Sequence, residues 1–365
     1  MSSKIIKNHI FLFLLGLFII DNGYSRGSRS IPNESPSELE AVNKVCKKRV
    51  NLLRHKWTVK RNIPQLDQGP VGLCSAYAFS HLIDGWREIH GLRITKDIAL
   101  TDPLYYALIW GLLKTDNDIK LWSRDFEVRL YKGIKKYGVC RSEIINKSIT
   151  DFAKKNELLP NSVRLFLEVF FDFYKGKKEK LAKVEDKYKE FKNFFKRRGT
   201  RFRKLYNSET ELKKLYESVI DLVMKGDIGK NVFENIFSGC TDKRSIYLHT
   251  KKLPPFSINK SQDYREKRKV VLEQLQKKNI VGIGYNSDQV EYKKPMPYAK
   301  STHASVLVGN RVRDGKCQFL LHNSWGNYCG YEWECQKDRH GQEMGVWVDA
   351  DLLMYQAATI WHFKL

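Results

Sequence analysis

The stretch Gln68-Gly69-Pro70-Val71-Gly72-Leu73-Cys74-Ser75-Ala76-Tyr77-Ala78-Phe79-Ser80 constrains this 365-residue chain more than any other. Glycine and proline punctuate its first half as a loop. Its second half is a small-residue, apolar run that continues through Leu82, Ile83 and Trp86 at helical spacing. Cys74 is therefore expected in the first turn of a helix. Unsatisfied backbone N–H groups and the positive end of the helix dipole favour a thiolate there. The thiolate is the nucleophilic form of cysteine, so the position predisposes Cys74 to attack a carbonyl carbon. What it lacks locally is a base.

A base is available far downstream. Thr302-His303-Ala304 opens an apolar run to Val308, and a turn at Arg313-Asp314-Gly315 leads into Phe319-Leu320-Leu321-His322-Asn323-Ser324-Trp325-Gly326. Both runs read as strands of one hairpin. The pair sets a histidine on one strand and an amide side chain on its neighbour. Asn323 can then fix the imidazole tautomer of His303, and Trp325 can shield that hydrogen bond from water. Gln68, six residues before Cys74, can aim a side-chain N–H at a developing oxyanion beside the backbone N–H of Cys74.

In the order Gln, Cys, His, Asn, and in the motifs Gln68-Gly69, Gly72-x-Cys74 and Asn323-Ser324-Trp325-Gly326, the chain resembles the papain family of cysteine peptidases. The resemblance implies Cys74 as nucleophile, His303 as general base and acid, Asn323 as orienter and Gln68 as oxyanion donor. Weaker landmarks extend it. Leu100 to Tyr105 resembles the start of the family's next helix, Tyr137 to Glu143 its Gly-Val-x-x-Glu turn, and Val271 to Ile283 the helix and strand ahead of its histidine. Together they cover roughly residues 60–148 and 265–365. Singly, a cysteine is more often inert packing and a strand histidine a satisfied core residue. Four positions in one order and context outweigh that reading.

The chain also departs from the family pattern. Ser75 follows the nucleophile where papain has Trp, and Val71 stands where many members carry a disulfide cysteine. The Gly-Gly stretch of the main specificity pocket has no match between Asn117 and Lys136. Cys329 replaces a second Trp, and Tyr331 to Gln342 reads as an extra hairpin. None of these removes a catalytic group, but substrate preference is left open.

At the start, Lys4 and Lys7 precede an apolar run from Ile10 to Ile20, the pattern of a secretory leader ending near Ser25. Residues 1–25 are accordingly expected to be a signal peptide and the protein to be exported, with no transmembrane span after cleavage. Residues 26–56 form a short polar N-terminal segment, too brief for the long pro-region of many family members; Trp57 to Ile63 is the candidate first strand of the core. Export permits disulfides. The chain has seven cysteines, and with Cys74 free, six remain to pair: Cys46, Cys140, Cys240, Cys317, Cys329 and Cys335. Cys329 with Cys335 is a plausible local bridge. A zinc site from Cys317, Cys329, Cys335 and His340 competes, without any Cys-x-x-Cys pair to support it.

Between Cys74 and His303 lie 228 residues, more than a compact core needs. The excess falls in 150–262. There Phe166, Val169, Phe170 and Phe173 form an apolar stripe, as do Leu181, Val184, Tyr188, Phe191 and Phe195, and then Leu212, Leu215, Val219 and Leu222. They read as helices with very basic polar faces: Lys175 to Lys214 holds about sixteen Lys and Arg against six acidic residues, within an overall charge of +24. Such a run can attract acidic substrates, dock on an anionic surface, or bind nucleic acid without specificity. Its aromatics lie at helical spacing, which favours docking or steering over base stacking, and no specific nucleic acid partner is expected.

The expected architecture is α+β: a papain-like helical half over 57–149 carrying Cys74, the basic helical insertion over 150–262, and an antiparallel, barrel-like half over 263–365 carrying His303 and Asn323. The expected activity is endopeptidase cleavage of protein or peptide substrates through a Cys74 thioester, with no metal or organic cofactor. An acyl transferase or amidase on cell-wall peptides, and a silent binding module using the insertion, remain alternatives. Cell-wall hydrolases of the NlpC type fit the Gln68 and Asn-Ser-Trp-Gly context poorly.

Overall fold

Asp314 and Gly315 both take positive φ, 50° and 71°. A two-residue turn of that kind matches the twist of the strands it joins, and Asp-Gly is among its preferred sequences. It closes the hairpin of β4 (His303–Arg313) and β5 (Lys316–His322), with Arg313 opposite Lys316. The computed structural model describes residues 34–52, 73–89, 101–106, 126–174, 188–189, 192–193, 209–224, 240, 254–287, 303–324, 333–337, 341 and 343–364. The expected leader 1–25, Gln68, Trp57 to Ile63, Trp325, Cys329, His340 and most of Lys175 to Lys214 lie outside the described residues.

The hairpin is the centre of an eight-stranded antiparallel sheet. The other strands are β1 (Val50–Asn51), β2 (Phe256–Asn259), β3 (Val281–Tyr285), β6 (Glu334–Lys337), β7 (Glu343–Asp349) and β8 (Ala357–Phe363). Their order is β2-β8-β3-β4-β5-β7-β6. β4 is long enough to take two partners on one side: β3 pairs with its first half and β1 with Gly309 and Asn310. That close approach needs glycine at 309, where a Cβ would stand 2.5 Å from the Val50 carbonyl oxygen.

The fold is thus mixed α and antiparallel β, but the expected barrel-like closure is corrected. The two end strands, β2 and β6, do not pair with each other among the described residues, and the sheet stays open. Both are only four residues long, short edges that offer few backbone groups to a further strand.

Two helices flank the centre of the sheet. α2 (Cys74–Ile89) packs against β3 and β4. Its Phe79, Leu82 and Ile83 are fully buried, with the Phe79 ring stacked 6.2 Å from Trp361 and Trp86 5.5 Å from Phe363. The apolar spacing read from the sequence is the face that meets the strands. α7 (Tyr264–Gln276), begun by the Asp263 cap on Arg265 N–H, packs on β3, β4 and β8 and against α8 (Ala350–Gln356). With helices α2 and α7 both against it, β3 is buried at four of its five residues.

The N-terminal helix α1 (Pro36–Cys46) opens with a capping box, Ser35 and Glu38 exchanging hydrogen bonds around Pro36. It lies on the β4–β5 hairpin, held by a Cys46–Cys317 disulfide and by Asn310 Nδ2 donating to the Cys46 and Lys48 carbonyls at 2.8 and 3.1 Å.

The helical part contains α3 (Phe126–Tyr137), α4 (Ser142–Lys155), α5 (Pro160–Tyr174) and α6 (Glu209–Met224). A Cys140–Cys240 disulfide ties the chain just before α4 to the chain beyond α6. Phe166, Leu212 and Leu215 are buried as their spacing implied, and Tyr188 meets Tyr216 at 5.1 Å between ring centres. No helix among the described residues is long and apolar enough to cross a membrane.

Candidate active site

Cys74 opens α2. The Leu73 carbonyl accepts the first helical hydrogen bonds, from the N–H groups of Ala76 and Tyr77 at 2.9 and 3.2 Å. No acidic side chain occupies the helix's first turn, so no carboxylate already offsets the positive end of the dipole. The side chain is half-buried and is not in a disulfide. Position, dipole and exposure all suit a reactive thiol.

The first residue of β4 is His303, and β4 is a strand on which α2 packs. His303 Nε2–H donates to Asn323 Oδ1 at 2.6 Å, both side chains being buried. The proton's place follows from the neighbours. Ser324 backbone N–H, which can only donate, meets the same Asn323 atom at 2.8 Å, so that atom is the amide oxygen. An oxygen accepts, so the proton of the neutral imidazole is on Nε2 and Nδ1 is left as the basic nitrogen. Ser305 Oγ also donates to Oδ1, at 3.1 Å, and Tyr285 OH lies 3.3 Å from Ser305 Oγ. The Tyr285 ring meets His303 edge-on at 5.6 Å.

Of the expected site residues, the structure therefore brings His303 and Asn323 into direct contact, and sets the helix of Cys74 against the strand of His303. Gln68 and Trp325 lie outside the described residues. Ser305 and Tyr285 were not singled out from sequence. Ser305 carried a signal, since it is two residues from His303 and shares its strand face. Tyr285 carried none, because its pairing with His303 joins strands whose intervening residues give no hairpin pattern.

A pair of histidines lies nearby. His81, seven residues along α2 from Cys74, meets His322, the residue before Asn323, with ring centres 4.4 Å apart. Both are buried, and neither Nε2 has a hydrogen-bond partner among the described residues. Burial, then the neighbouring His322, hold the His81 imidazole well below its ordinary titration range. Burial also lowers His322, against its contact with the Met344 carbonyl.

The helix of Cys74 is braced on its other side. Arg164 of α5 makes a two-pronged contact with Asp102, at 2.9 and 3.0 Å, and reaches Glu168, which accepts from Tyr77 OH at 3.4 Å. Tyr77 is three residues from Cys74 on α2, so α5 is anchored one turn from the thiol. Farther along the helix, Asp84 accepts from Thr101 N–H and Oγ–H and pairs with Arg87; burial nonetheless pushes its carboxyl up to about 7.

Cys317 is bonded to Cys46, and Cys335 is also in a disulfide. Two of the four ligands of the alternative zinc grouping are thereby used up. The expected Cys329 bridge falls outside the described residues. Of the basic run, Lys192 pairs with Glu209 and Lys214 with Glu157.

No family model matches this chain, and no curated protein matches it either.

Proposed function

We propose that the chain is an exported, papain-like cysteine endopeptidase. The observation that carries this reading is the His303–Asn323 hydrogen bond, in which the acceptor oxygen is identified by Ser324 N–H and leaves His303 Nδ1 basic. A histidine locked in that tautomer, on a strand packed against a helix that begins with a thiol, has the makings of a thiolate–imidazolium pair.

In the proposed reaction Cys74 loses its proton to His303 Nδ1 and its sulfur attacks the peptide carbonyl. The Cys74 N–H at the helix start, with Gln68 as the expected second donor, stabilises the oxyanion. The C–N bond breaks as His303 returns the proton to the leaving amine, and a thioester remains on Cys74. Water, deprotonated by His303, then attacks the thioester and restores the thiol. Asn323 holds the imidazole through both halves. The disulfides support export, since such bonds persist in oxidising compartments. The Lys175 to Lys214 run is assigned to steering towards acidic substrates or anionic surfaces, and its binding to anionic vesicles should weaken as salt rises.

The test is alkylation of the intact, oxidised protein by an epoxide or iodoacetamide at about pH 6, below the ordinary thiol range, with the label mapped by mass spectrometry. Fast labelling confined to Cys74 and slowed by His303→Ala supports the reading. Labelling of Cys74 no faster than a free thiol, and indifferent to His303→Ala, overturns it. Product analysis with competing amines separates hydrolysis from acyl transfer.

A further inference from the structure

Asn323 Oδ1 receives three donors: His303 Nε2–H, Ser324 N–H and Ser305 Oγ–H. The third is unusual in its dependence on another side chain. A serine hydroxyl has one proton, and Ser305 uses it on Asn323. The contact at 3.3 Å with Tyr285 must then run from Tyr285 OH to Ser305 Oγ. We propose that Tyr285 and Ser305 are positioning residues, a two-hydroxyl relay that locks the Asn323 amide and through it the His303 tautomer. The proposal rests on the peptidase reading for its consequence in catalysis, although the relay itself does not.

The physical need is plain. The Asn323 amide can turn over about its last side-chain bond, exchanging oxygen for nitrogen at little cost in shape. Turned over, it would offer N–H to His303 Nε2, and the imidazole proton would have to move to Nδ1. Such a histidine could not take a proton from Cys74. Ser324 N–H opposes the turn, but Asn323 and Ser324 are neighbours on one stretch of backbone and shift together. Ser305 is on β4, the strand that also carries His303, so it references the amide to the imidazole. By accepting from Tyr285, Ser305 becomes a stronger donor and has its proton directed at Asn323. Tyr285 also sits opposite His303 in the β3–β4 ladder with its ring edge against the imidazole, so one side chain constrains both ring plane and tautomer. All four side chains are buried, which keeps water from substituting for either hydroxyl.

The experiment follows the imidazole protons of His303 by NMR in the intact protein, selectively labelled with nitrogen-15 histidine, in wild type, Ser305→Ala, Ser305→Thr, Tyr285→Phe and the Ser305→Ala/Tyr285→Phe double variant. Wild type is expected to show a slowly exchanging proton on Nε2. Ser305→Ala should speed its exchange with water by roughly tenfold, Tyr285→Phe by less, and the double variant no more than Ser305→Ala alone, because both cut one chain. Ser305→Thr, which keeps the hydroxyl, should restore protection. Thermal unfolding of each variant separates loss of fold from loss of the relay. An Nε2 proton unmoved in shift and exchange by a folded Ser305→Ala, or effects of the two substitutions that simply add, would overturn the proposal. A parallel measurement of Cys74 alkylation distinguishes the two readings. If the proton responds but Cys74 is inert in wild type, the relay stands and the peptidase reading falls. If Cys74 is activated and the proton does not respond, the reverse holds.

Discussion

Asn323 stands beside His303 on one face of the sheet because the β4–β5 ladder slips by one residue between Leu307 and Gly309. From the turn, Arg313 pairs with Lys316 and the register runs regularly to Gly309 opposite Leu320. Beyond Val308, Leu307 lies opposite Leu321 and Val306 opposite His322. Carried on without the slip, the register would set Asn323 opposite Val306 and turn its side chain to the face away from His303. With it, Asn323 falls opposite Ser305, the residue whose hydroxyl it accepts.

Replacing Asn323 by Ala should therefore slow alkylation of Cys74 without dissolving the site. His303 would keep its place on β4 but lose the acceptor that sets its tautomer. The rate of Cys74 alkylation should fall by roughly one to two orders of magnitude, less than for His303→Ala. Equal losses from the two substitutions would mean that Asn323 does more than orient.

Gly309→Ala tests the docking of β1. The added methyl would meet the Val50 carbonyl oxygen at 2.5 Å, where backbone on both sides must yield. A loss of about 1–3 kcal/mol is expected in urea unfolding, with α1 still tethered through Cys46–Cys317. Unchanged stability would show that β1 can peel away freely.

Arg164→Ala should destabilise the brace behind the helix of Cys74. Asp102 is 1 % exposed on its side chain while Arg164 is 28 % exposed, so the aspartate is left buried and unpaired. The cost is expected at about 2–3 kcal/mol, below that of a fully buried pair because of that partial exposure. Calorimetric unfolding would measure it.

Acid should weaken the fold through His81 and His322. Burial holds both imidazoles neutral in the folded protein, below the ordinary 6.5. The unfolded chain therefore takes up protons first as the pH falls through about 6.5, and stability present above that value is progressively lost towards the lowered folded values. Asp84, raised by burial to about 7, titrates in the opposite sense, its contribution being lost as the pH rises through that value. Comparing variant with wild type cancels it. In urea unfolding between about pH 7.5 and about pH 5, His81→Leu should lose less stability than wild type. Parallel losses would count against the pair.

The sequence by itself determined what local rules can reach. Helical spacing from Cys74 to Trp86 placed the thiol at a helix start and named the face that is buried. Asp314-Gly315 announced its turn, because both residues tolerate positive φ. The mixed α and β class was implied by the resemblance, and the helices around Phe166 and Leu212 by their apolar spacing. Only the tertiary structure decided the rest. A hairpin turn specifies register at its own end, and one bulge between Leu307 and Gly309 reverses which face Asn323 presents. The open sheet, the pairing of Cys46 with Cys317 across 271 residues, and the meeting of Tyr285 with Ser305 are likewise contacts between distant stretches. Spacing along a chain carries no information about such meetings; they are chosen by what packs once every element competes for the same core.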